Sequence, residues 1–222
     1  MKESPVIRAA ALCGWLLVAS AIAAGQAGSA PTPVSALDRP ALLVIDIQNF
    51  YFEGGRLSLV GSVEASLKAG ALLEAFRAEK RPVIHIQHLP EGIDEFEPGV
   101  TDVQYAIHPN VVPSPGETIL VKHFANSFRD TNLAAILKDL NIKTLVIAGM
   151  QTHMCVEAAV RAGADLGFDI VLVEDACATR DLKHGDTVVA AASVQAAVLA
   201  ALDRSYAKVV KTGFLLGAAQ AK

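Results

Sequence analysis

Short apolar runs recur along this chain at intervals that leave room for a helix between them. The first, at 41–45, contains no polar residue and is followed at once by Asp46. Unbroken apolar runs of this length are typical of strands that are buried on both faces of a parallel sheet. The six runs occupy residues 41–45, 82–86, 118–121, 144–148, 170–173 and 207–210.

The stretches between these runs have helical periodicity or composition. Ala65, Ala69, Leu72 and Phe76, for example, are spaced three or four positions apart. Helices are predicted at 62–80, 131–140, 153–166 and 186–204. The alternation of strands and helices predicts an α/β fold: an open, mostly parallel sheet of about six strands with helices on both faces, a Rossmann-like three-layer sandwich. Ligands are then expected at the carboxyl ends of the strands.

The N-terminal segment is predicted to be a secretory signal peptide. Lys2 and Arg8 precede an apolar run at 9–24, and small residues follow it. Because roughly 20 apolar residues are needed to span a bilayer, we expect no stable membrane anchor, with an uncleaved anchor as the alternative. Cleavage after Ala23 or after Ala27 fits the pattern of small residues. The mature protein is therefore expected to be exported, either periplasmic or secreted.

Composition bounds the rest of the chain. Of its 222 residues, 52% are hydrophobic and 19% are charged, which excludes global disorder. The net charge of -4 gives no basic surface for nucleic acid, so no nucleic-acid partner is expected. The length suits a signal peptide at 1–27, a linker at 28–39 and one domain at 40–215.

One segment interrupts the alternation of strands and helices. Residues 88–117 contain five prolines and several acidic residues and lack a clear periodicity. A loop of this length inside a compact domain is usually a lid or a binding loop. We expect this lid to help select the substrate.

Three residues with chemically active side chains follow predicted strands. Asp46 directly follows the first run, Lys122 follows the third, and Cys155 comes shortly after the fourth, in the first turn of a helix. Because the carboxyl ends of parallel strands meet at one edge of a sheet, we expect the three side chains to converge. Taken singly, each has an ordinary structural interpretation: a turn residue, a solvated lysine and a small core residue.

Taken together, the three suit a nucleophilic thiol. The amides of a helix N-terminus and a nearby ammonium stabilise a thiolate, and a carboxylate can accept the thiol proton. We therefore expect Cys155 to have a low pKa. The turn before its helix would direct backbone N–H groups towards a developing oxyanion.

Four motifs lie in order along the domain, and the first three contain these residues. They are LVIDIQNF at 43–50, VKHFANSF at 121–128, GMQTHMCV at 149–156 and EDACAT at 174–179. Over about residues 40–212 they resemble the isochorismatase-like cysteine hydrolases, the superfamily that includes nicotinamidases and carbamoyl amidases. The resemblance is specific for the family and unspecific for the substrate.

The resemblance implies a role for each residue of the site. Asp46 would be the general base, Lys122 the cation that holds and polarises the pair, and Cys155 the nucleophile. A cis peptide bond is implied between Met150 and Gln151, and the N–H groups of Gln151 and Cys155 would form the oxyanion hole. The implied reaction is attack on an amide carbonyl, loss of ammonia or an amine, and hydrolysis of a thioester.

The resemblance does not extend to the metal site of nicotinamidases, which is built from an Asp-x-His pair and a second His. The chain has His85 within the second strand and His88 just after it, but no Asp-x-His there. We expect His85 to point into the sheet, and His88 and His108 to line or cap the lid rather than bind zinc. Neither a metal nor a cofactor is therefore predicted. Phe50, Phe124 and His88 are predicted to contact the substrate.

Three further residues have structural interpretations. Cys177 closes the fifth strand and is expected to be buried and reduced, with a disulfide to Cys155 as the alternative in an oxidising compartment. Thr152 is expected to cap the helix that bears Cys155. His184 is expected to open the helix after the fifth strand.

The leading hypothesis is an exported cysteine hydrolase that cleaves a C–N bond of a small amide, lactam or carbamoyl compound. The resemblance favours amide chemistry here, because the isochorismatase branch cleaves a vinyl ether without needing the cysteine. The alternatives are an inactive small-molecule-binding protein of the same fold, a vinyl ether hydrolase, and redox use of Cys155 with Cys177. The expected partners are a small-molecule substrate and further copies of the chain, in a dimer or tetramer.

Overall fold

The computed structural model describes residues 32–89 and 103–217. The predicted signal peptide lies outside the described residues, and so do the start of the linker and the middle of the predicted lid. Within the described ranges, no helix has the length and apolarity that crossing a bilayer requires.

The described chain alternates strands and helices in nearly the predicted order. The strands are β1 Pro40–Ile45, β2 Val83–His88, β3 Thr118–Lys122, β4 Thr144–Met150, β5 Asp169–Ala178, β6 Leu182–His184, β7 Thr187–Val189 and β8 Lys208–Val210. The helices are α1 Ser62–Ala78, α2 Leu133–Asp139, α3 Glu157–Asp165, α4 Ala191–Leu202 and α5 Thr212–Leu216, and a π-helical turn, Thr152–Val156, precedes α3.

The predicted six-stranded parallel sheet is confirmed. Its strand order is β3-β2-β1-β4-β5-β8, so β1 and β4 lie at the centre. Every neighbouring pair in this sheet is parallel. Ile45, the last residue of β1, pairs with Ile86 of β2 and with Gly149 of β4, so the chain leaves all three strands at the same edge.

Alternate side chains of the central strands bury two separate cores. Leu42 and Val44 belong to the core on the face covered by α1 and α5. Ala41, Leu43 and Ile45 belong to the opposite core, which also takes residues from α2, α3 and α4. These faces make the three predicted layers, and they leave the carboxyl edge of the sheet for the site.

The predicted start of α4 was wrong. His184 does not open a helix: it ends β6 of a small antiparallel hairpin, β6–β7, and the helix begins at Ala191. The physical reason is the turn after His184, where Gly185 has φ +58, a conformation that glycine adopts without a steric penalty. Asp181 accepts a hydrogen bond from the Ala191 amide at 2.8 Å, which holds the new start of the helix.

Candidate active site

Asp46, Lys122 and Cys155 meet at the carboxyl edge of the sheet. Asp46 directly follows β1, Lys122 is the last residue of β3, and Cys155 lies in the π-helical turn after β4. Lys122 Nζ is 2.8 Å from Asp46 Oδ2, and both side chains are completely buried. Cys155 Sγ lies within 4.8 Å of a carboxylate oxygen of Asp46, and the thiol interacts electrostatically with both Asp46 and Lys122. The sequence-based expectation that the three converge is therefore met by the geometry.

The backbone at Asp46 turns sharply out of the sheet. Asp46 has φ +51, a left-handed conformation that Asp tolerates better than most residues. Its amide donates to Ile86 O at 3.0 Å, as a continuing strand would, but its carbonyl already accepts from the Gln48 amide at 2.9 Å. The turn directs the carboxylate under the sheet edge. No described backbone amide donates to either carboxylate oxygen, so the oxygens keep lone pairs available to a proton.

Lys122 is held by more acceptors than it has protons. Besides Asp46, Nζ lies 3.1 Å from Phe124 O, 3.3 Å from Ala125 O and 3.3 Å from His88 Nδ1. Burial is the largest single effect and lowers the pKa of Lys122, but the interactions with Asp46 and Cys155 together outweigh it and raise that pKa above its ordinary value. The ammonium is therefore a permanent and well-positioned charge.

The expected low pKa of Cys155 is wrong. Its side chain is only 4% exposed, and burial, followed by the nearby Asp46 charge, raises the pKa of the thiol to about 12. Lys122 acts in the opposite direction but does not overcome these two effects. The resting group is therefore a neutral thiol, and it becomes a nucleophile only as its proton leaves.

The turn that precedes Cys155 has the shape of an anion-binding site. The implied cis peptide bond between Met150 and Gln151 is present. Gln151 O accepts from the amides of Met154 at 3.0 Å and Val156 at 3.2 Å, whereas the Gln151 amide donates to no carbonyl in the described chain. The N–H groups of Gln151 and Cys155 are the ones expected to face an oxyanion, and that role stays a prediction.

Two further contacts fix this turn. Gly149 has φ +141, and a Cβ added there would lie 2.0 Å from Ile45 O, so only glycine lets β4 approach β1 here. The predicted capping role of Thr152 was wrong. Its hydroxyl donates to Ala178 O of β5 at 3.1 Å and makes no cap, because the residue is already inside the π-helical turn.

The three residues predicted to contact substrate have different surroundings. His88 is half-buried beside Asp46 and Cys155, and burial lowers its pKa, so its imidazole is neutral at neutral pH. Phe124 is half-buried, with the Arg129 guanidinium 3.6 Å above its ring. Phe50 is 5% exposed and packs in the core. Substrate contact by these residues stays a prediction.

One group of donor atoms could in principle hold a metal ion. Potential ligand atoms of Asp46, His88 and Cys155 lie within 4.8 Å of one another. The Lys122 ammonium, however, sits 2.8 Å from the carboxylate and 3.3 Å from the imidazole, and a metal cation there would meet a like charge. The donor set therefore does not fit a metal.

The other two candidate histidines lie in structural contacts. His85 is buried, as expected, with Nε2 2.9 Å from Glu117 Oε2, and burial lowers its pKa. His108 stacks on Phe52 with 3.6 Å between ring centroids, and its Nδ1 accepts from the Asn110 amide.

Cys177 is buried and unpaired, as expected, and Cys155 is also a free thiol, so the alternative disulfide is not formed. Burial raises the pKa of Cys177 to about 12, while a hydrogen bond from the Gly149 backbone opposes this. Redox pairing of the two cysteines therefore has no support in the structure.

Sequence reasoning missed a set of polar side chains beside the site. Arg180 Nε donates to Gln151 Oε1 at 3.1 Å, and Gln151 Nε2 donates to the Tyr51 hydroxyl at 3.2 Å. Burial, followed by the charges of Asp46 and Cys155, raises the pKa of Tyr51 far above its ordinary value. The available signal was position: Tyr51 follows Asp46 by five residues, and Arg180 comes two residues after β5, at the same sheet edge.

Comparisons with known proteins agree on one family. Residues 40–210 match the model of the isochorismatase domain. The isochorismatase family protein YddQ of Bacillus subtilis is 44% identical over 174 residues, which are 78% of this chain and 96% of that protein.

Solved structures match the fold over a similar range. The crystal structure of a protein described as an isochorismatase hydrolase from Oleispira antarctica is 42% identical, with a TM-score of 0.73, and the match covers 78% of this chain and 94% of that one. The N-carbamoylsarcosine amidase of Thermoplasma acidophilum is 26% identical, with a TM-score of 0.65, and the match covers 79% and 97% of the two chains.

Proposed function

This chain belongs to the isochorismatase family of hydrolases, and we propose that it cleaves a C–N bond of a small amide, lactam or carbamoyl compound through a thioester on Cys155. The observation that carries the proposal is the position of the buried Cys155 thiol within 4.8 Å of the Asp46 carboxylate, which forms a buried ion pair with Lys122 at 2.8 Å. The N-carbamoylsarcosine amidase among the similar structures is named for a carbamoyl compound, one of the three classes of substrate proposed here.

The first chemical step is a proton transfer coupled to attack. Asp46 accepts the thiol proton while the sulfur electron pair forms a bond to the substrate carbonyl carbon. The negative charge then lies on the carbonyl oxygen, where the N–H groups of Gln151 and Cys155 can donate to it. Lys122 stays within reach of both sulfur and carboxylate, so the transferred charge keeps its counter-ion.

The remaining steps return the site to its starting state. The protonated Asp46 gives its proton to the leaving nitrogen, the C–N bond breaks, and ammonia or an amine departs from the thioester. Asp46 then removes a proton from a water molecule as the water oxygen attacks the thioester carbonyl. The C–S bond breaks, the acid product leaves, and the Cys155 sulfur regains its proton from Asp46. The sum is one amide and one water consumed, and one acid and one amine formed.

Export remains part of the proposal. Its support is the charged start and apolar run at 9–24, which have the features of a signal peptide. The test is fractionation of cells that express the full chain, with N-terminal sequencing of the exported form. A cytosolic protein that keeps residue 1 would contradict export.

The reaction is tested by measuring ammonia release from a panel of small primary amides and ureido acids, and formation of the ring-opened amino acid from lactams, which release no ammonia. We expect wild-type protein to hydrolyse at least one compound and Cys155→Ala to hydrolyse none, with an unchanged far-UV circular dichroism spectrum. Cys177→Ala is the matched control, because it removes the other buried thiol and should keep activity. Turnover by folded Cys155→Ala would exclude the thioester.

A further inference from the structure

Arg180, Gln151 and Tyr51 form a chain of hydrogen bonds with one direction. A guanidinium can only donate, so the Gln151 atom that faces Arg180 Nε must be the carbonyl oxygen. The Gln151 amide then presents its NH₂ group to Tyr51, whose oxygen is the acceptor. The orientation of every group in the chain is therefore fixed by the arginine.

This series of hydrogen bonds ends at the Tyr51 hydroxyl, whose proton has no acceptor among the described residues. The Tyr51 hydroxyl hydrogen-bonds only as an acceptor within residues 32–89 and 103–217, although the residue is only 4% exposed. A buried hydroxyl normally donates its proton to a partner. Its hydrogen bond to Gln151, whose backbone N–H is expected to face the oxyanion, places this hydroxyl beside the site. Burial, followed by the charges of Asp46 and Cys155, raises its pKa, so the hydroxyl keeps its proton.

Arg180 places a positive charge at one end of this series of hydrogen bonds. Successive hydrogen bonds that run in one direction polarise one another, so a positive charge at one end makes the hydroxyl at the other end a stronger donor. Arg180 is half-buried and forms no ion pair with any acid of the described chain. Asp46 and Lys122 pair with each other, so within the described residues Arg180 keeps a positive charge that no ion pair compensates.

We propose that the Tyr51 hydroxyl donates a hydrogen bond to a second oxygen of the substrate, and that this oxygen belongs to a carboxylate close to the scissile amide. Tyr51 is then a substrate-binding residue, whereas Arg180 and Gln151 are positioning residues that act through it. The inference rests on the proposed function, because the scissile carbonyl is assigned to the amides of Gln151 and Cys155.

The experiment compares amides that differ only in this carboxylate. Malonamate and succinamate carry it, whereas 3-methylbutanamide and 4-methylpentanamide replace it with an isopropyl group of similar shape. Tyr51→Phe removes one oxygen and keeps the ring that packs on Phe50, at 4.1 Å between centroids. Tyr105→Phe is the matched control, since the Tyr105 hydroxyl bonds with Arg56 instead.

For the carboxylate-bearing amides, we expect Tyr51→Phe to lower kcat/KM by about 10- to 100-fold, mainly by raising KM. The reason is that a site built around a buried hydrogen-bond donor binds a substrate with the matching acceptor much more tightly than one without it. For the isopropyl amides we expect less than a twofold change. Arg180→Gln should cause a smaller loss with the same selectivity, and Tyr105→Phe should cause none. An equal loss on both kinds of amide, or a loss confined to kcat, would overturn the proposal.

A binding measurement separates this inference from the reaction. Calorimetry with Cys155→Ala protein should detect malonamate or succinamate, and adding Tyr51→Phe should weaken the Kd by at least tenfold. If wild-type protein releases no ammonia but this pattern holds, the proposed reaction fails and the binding role stands. If neither compound binds, or if Tyr51→Phe leaves the Kd unchanged, the binding role is wrong.

Discussion

Replacing Lys122 with methionine removes the positive member of the buried ion pair at the centre of the site and so tests how much that pair stabilises the fold. The two charged groups are 2.8 Å apart, and neither side chain has any exposed surface. Removing one member of such a pair leaves the other as an uncompensated buried charge, which typically costs about 3–5 kcal/mol. Nζ also donates to two backbone carbonyls, so we expect the loss of unfolding free energy to fall within this range rather than below it.

The assay is urea denaturation of the full chain followed by far-UV circular dichroism. Tryptophan fluorescence is unsuitable, because the single tryptophan, Trp15, lies in the predicted signal peptide and not in the predicted domain at 40–215. Lys138→Met is the matched control: Lys138 is exposed on α2, and its replacement should change the unfolding free energy by less than about 0.5 kcal/mol.

A double variant tests the cause. Asp46→Asn with Lys122→Met leaves no charge to compensate, and asparagine also tolerates the left-handed backbone at position 46. We expect the double variant to recover about 2 kcal/mol or more of the loss while remaining inactive. A single variant within about 1 kcal/mol of wild type, or a double variant as unstable as the single one, would refute the reasoning.

Three other predictions test neighbouring parts of the structure. Gly149→Ala should cost more than about 3 kcal/mol in urea denaturation, because its Cβ would meet the β1 backbone, whereas Gly167→Ala, with open space around it, should cost about 1–2 kcal/mol. Although burial opposes it, hydrogen bonding to Arg77 lowers the pKa of Glu117 to about 2, below its ordinary value of 4.5. Glu117 therefore stabilises the fold above that ordinary value and loses this effect as pH falls towards 2, so the stability gap between wild type and Glu117→Gln should narrow over that interval. Alkylation of Cys155 by iodoacetamide, followed by peptide mass spectrometry, should accelerate about tenfold per pH unit from pH 6 to 9, and a plateau near neutral pH would contradict a pKa of about 12.

The centre of the sheet was predictable because β1, β2 and β4 are buried on both faces and therefore leave apolar runs, whereas the edge strands β3 and β8 are partly exposed. The fifth strand shows the limit of that signal. The apolar run covers 170–173, but β5 continues to Ala178 through Glu174 and Asp175, which are only half-buried. The β6–β7 hairpin was not predicted, for a related reason. Its residues are mostly exposed, so packing against a core imposes no hydrophobic pattern on their sequence.

The position of the site was predictable from topology, but its electrostatics were not. Parallel strands place Asp46, Lys122 and Cys155 at one edge whatever their side chains do. The pKa of the thiol depends on how completely the site excludes water, and sequence spacing carries no measure of that. The contact between Gln151 and Tyr51 joins residues 100 positions apart, so nothing local marked it.

A raised thiol pKa is compatible with nucleophilic attack because the site moves a charge instead of creating one. In the resting state the negative charge is on Asp46, and after proton transfer it is on the sulfur of Cys155. Lys122 pairs with Asp46 at 2.8 Å and also interacts electrostatically with Cys155, so the buried group remains neutral overall in both states. Ionising the thiol by releasing its proton to water would instead leave two buried anions beside one cation, which low dielectric penalises strongly. The depth of the site therefore suppresses a free thiolate in the absence of substrate, yet permits the internal transfer that attack requires.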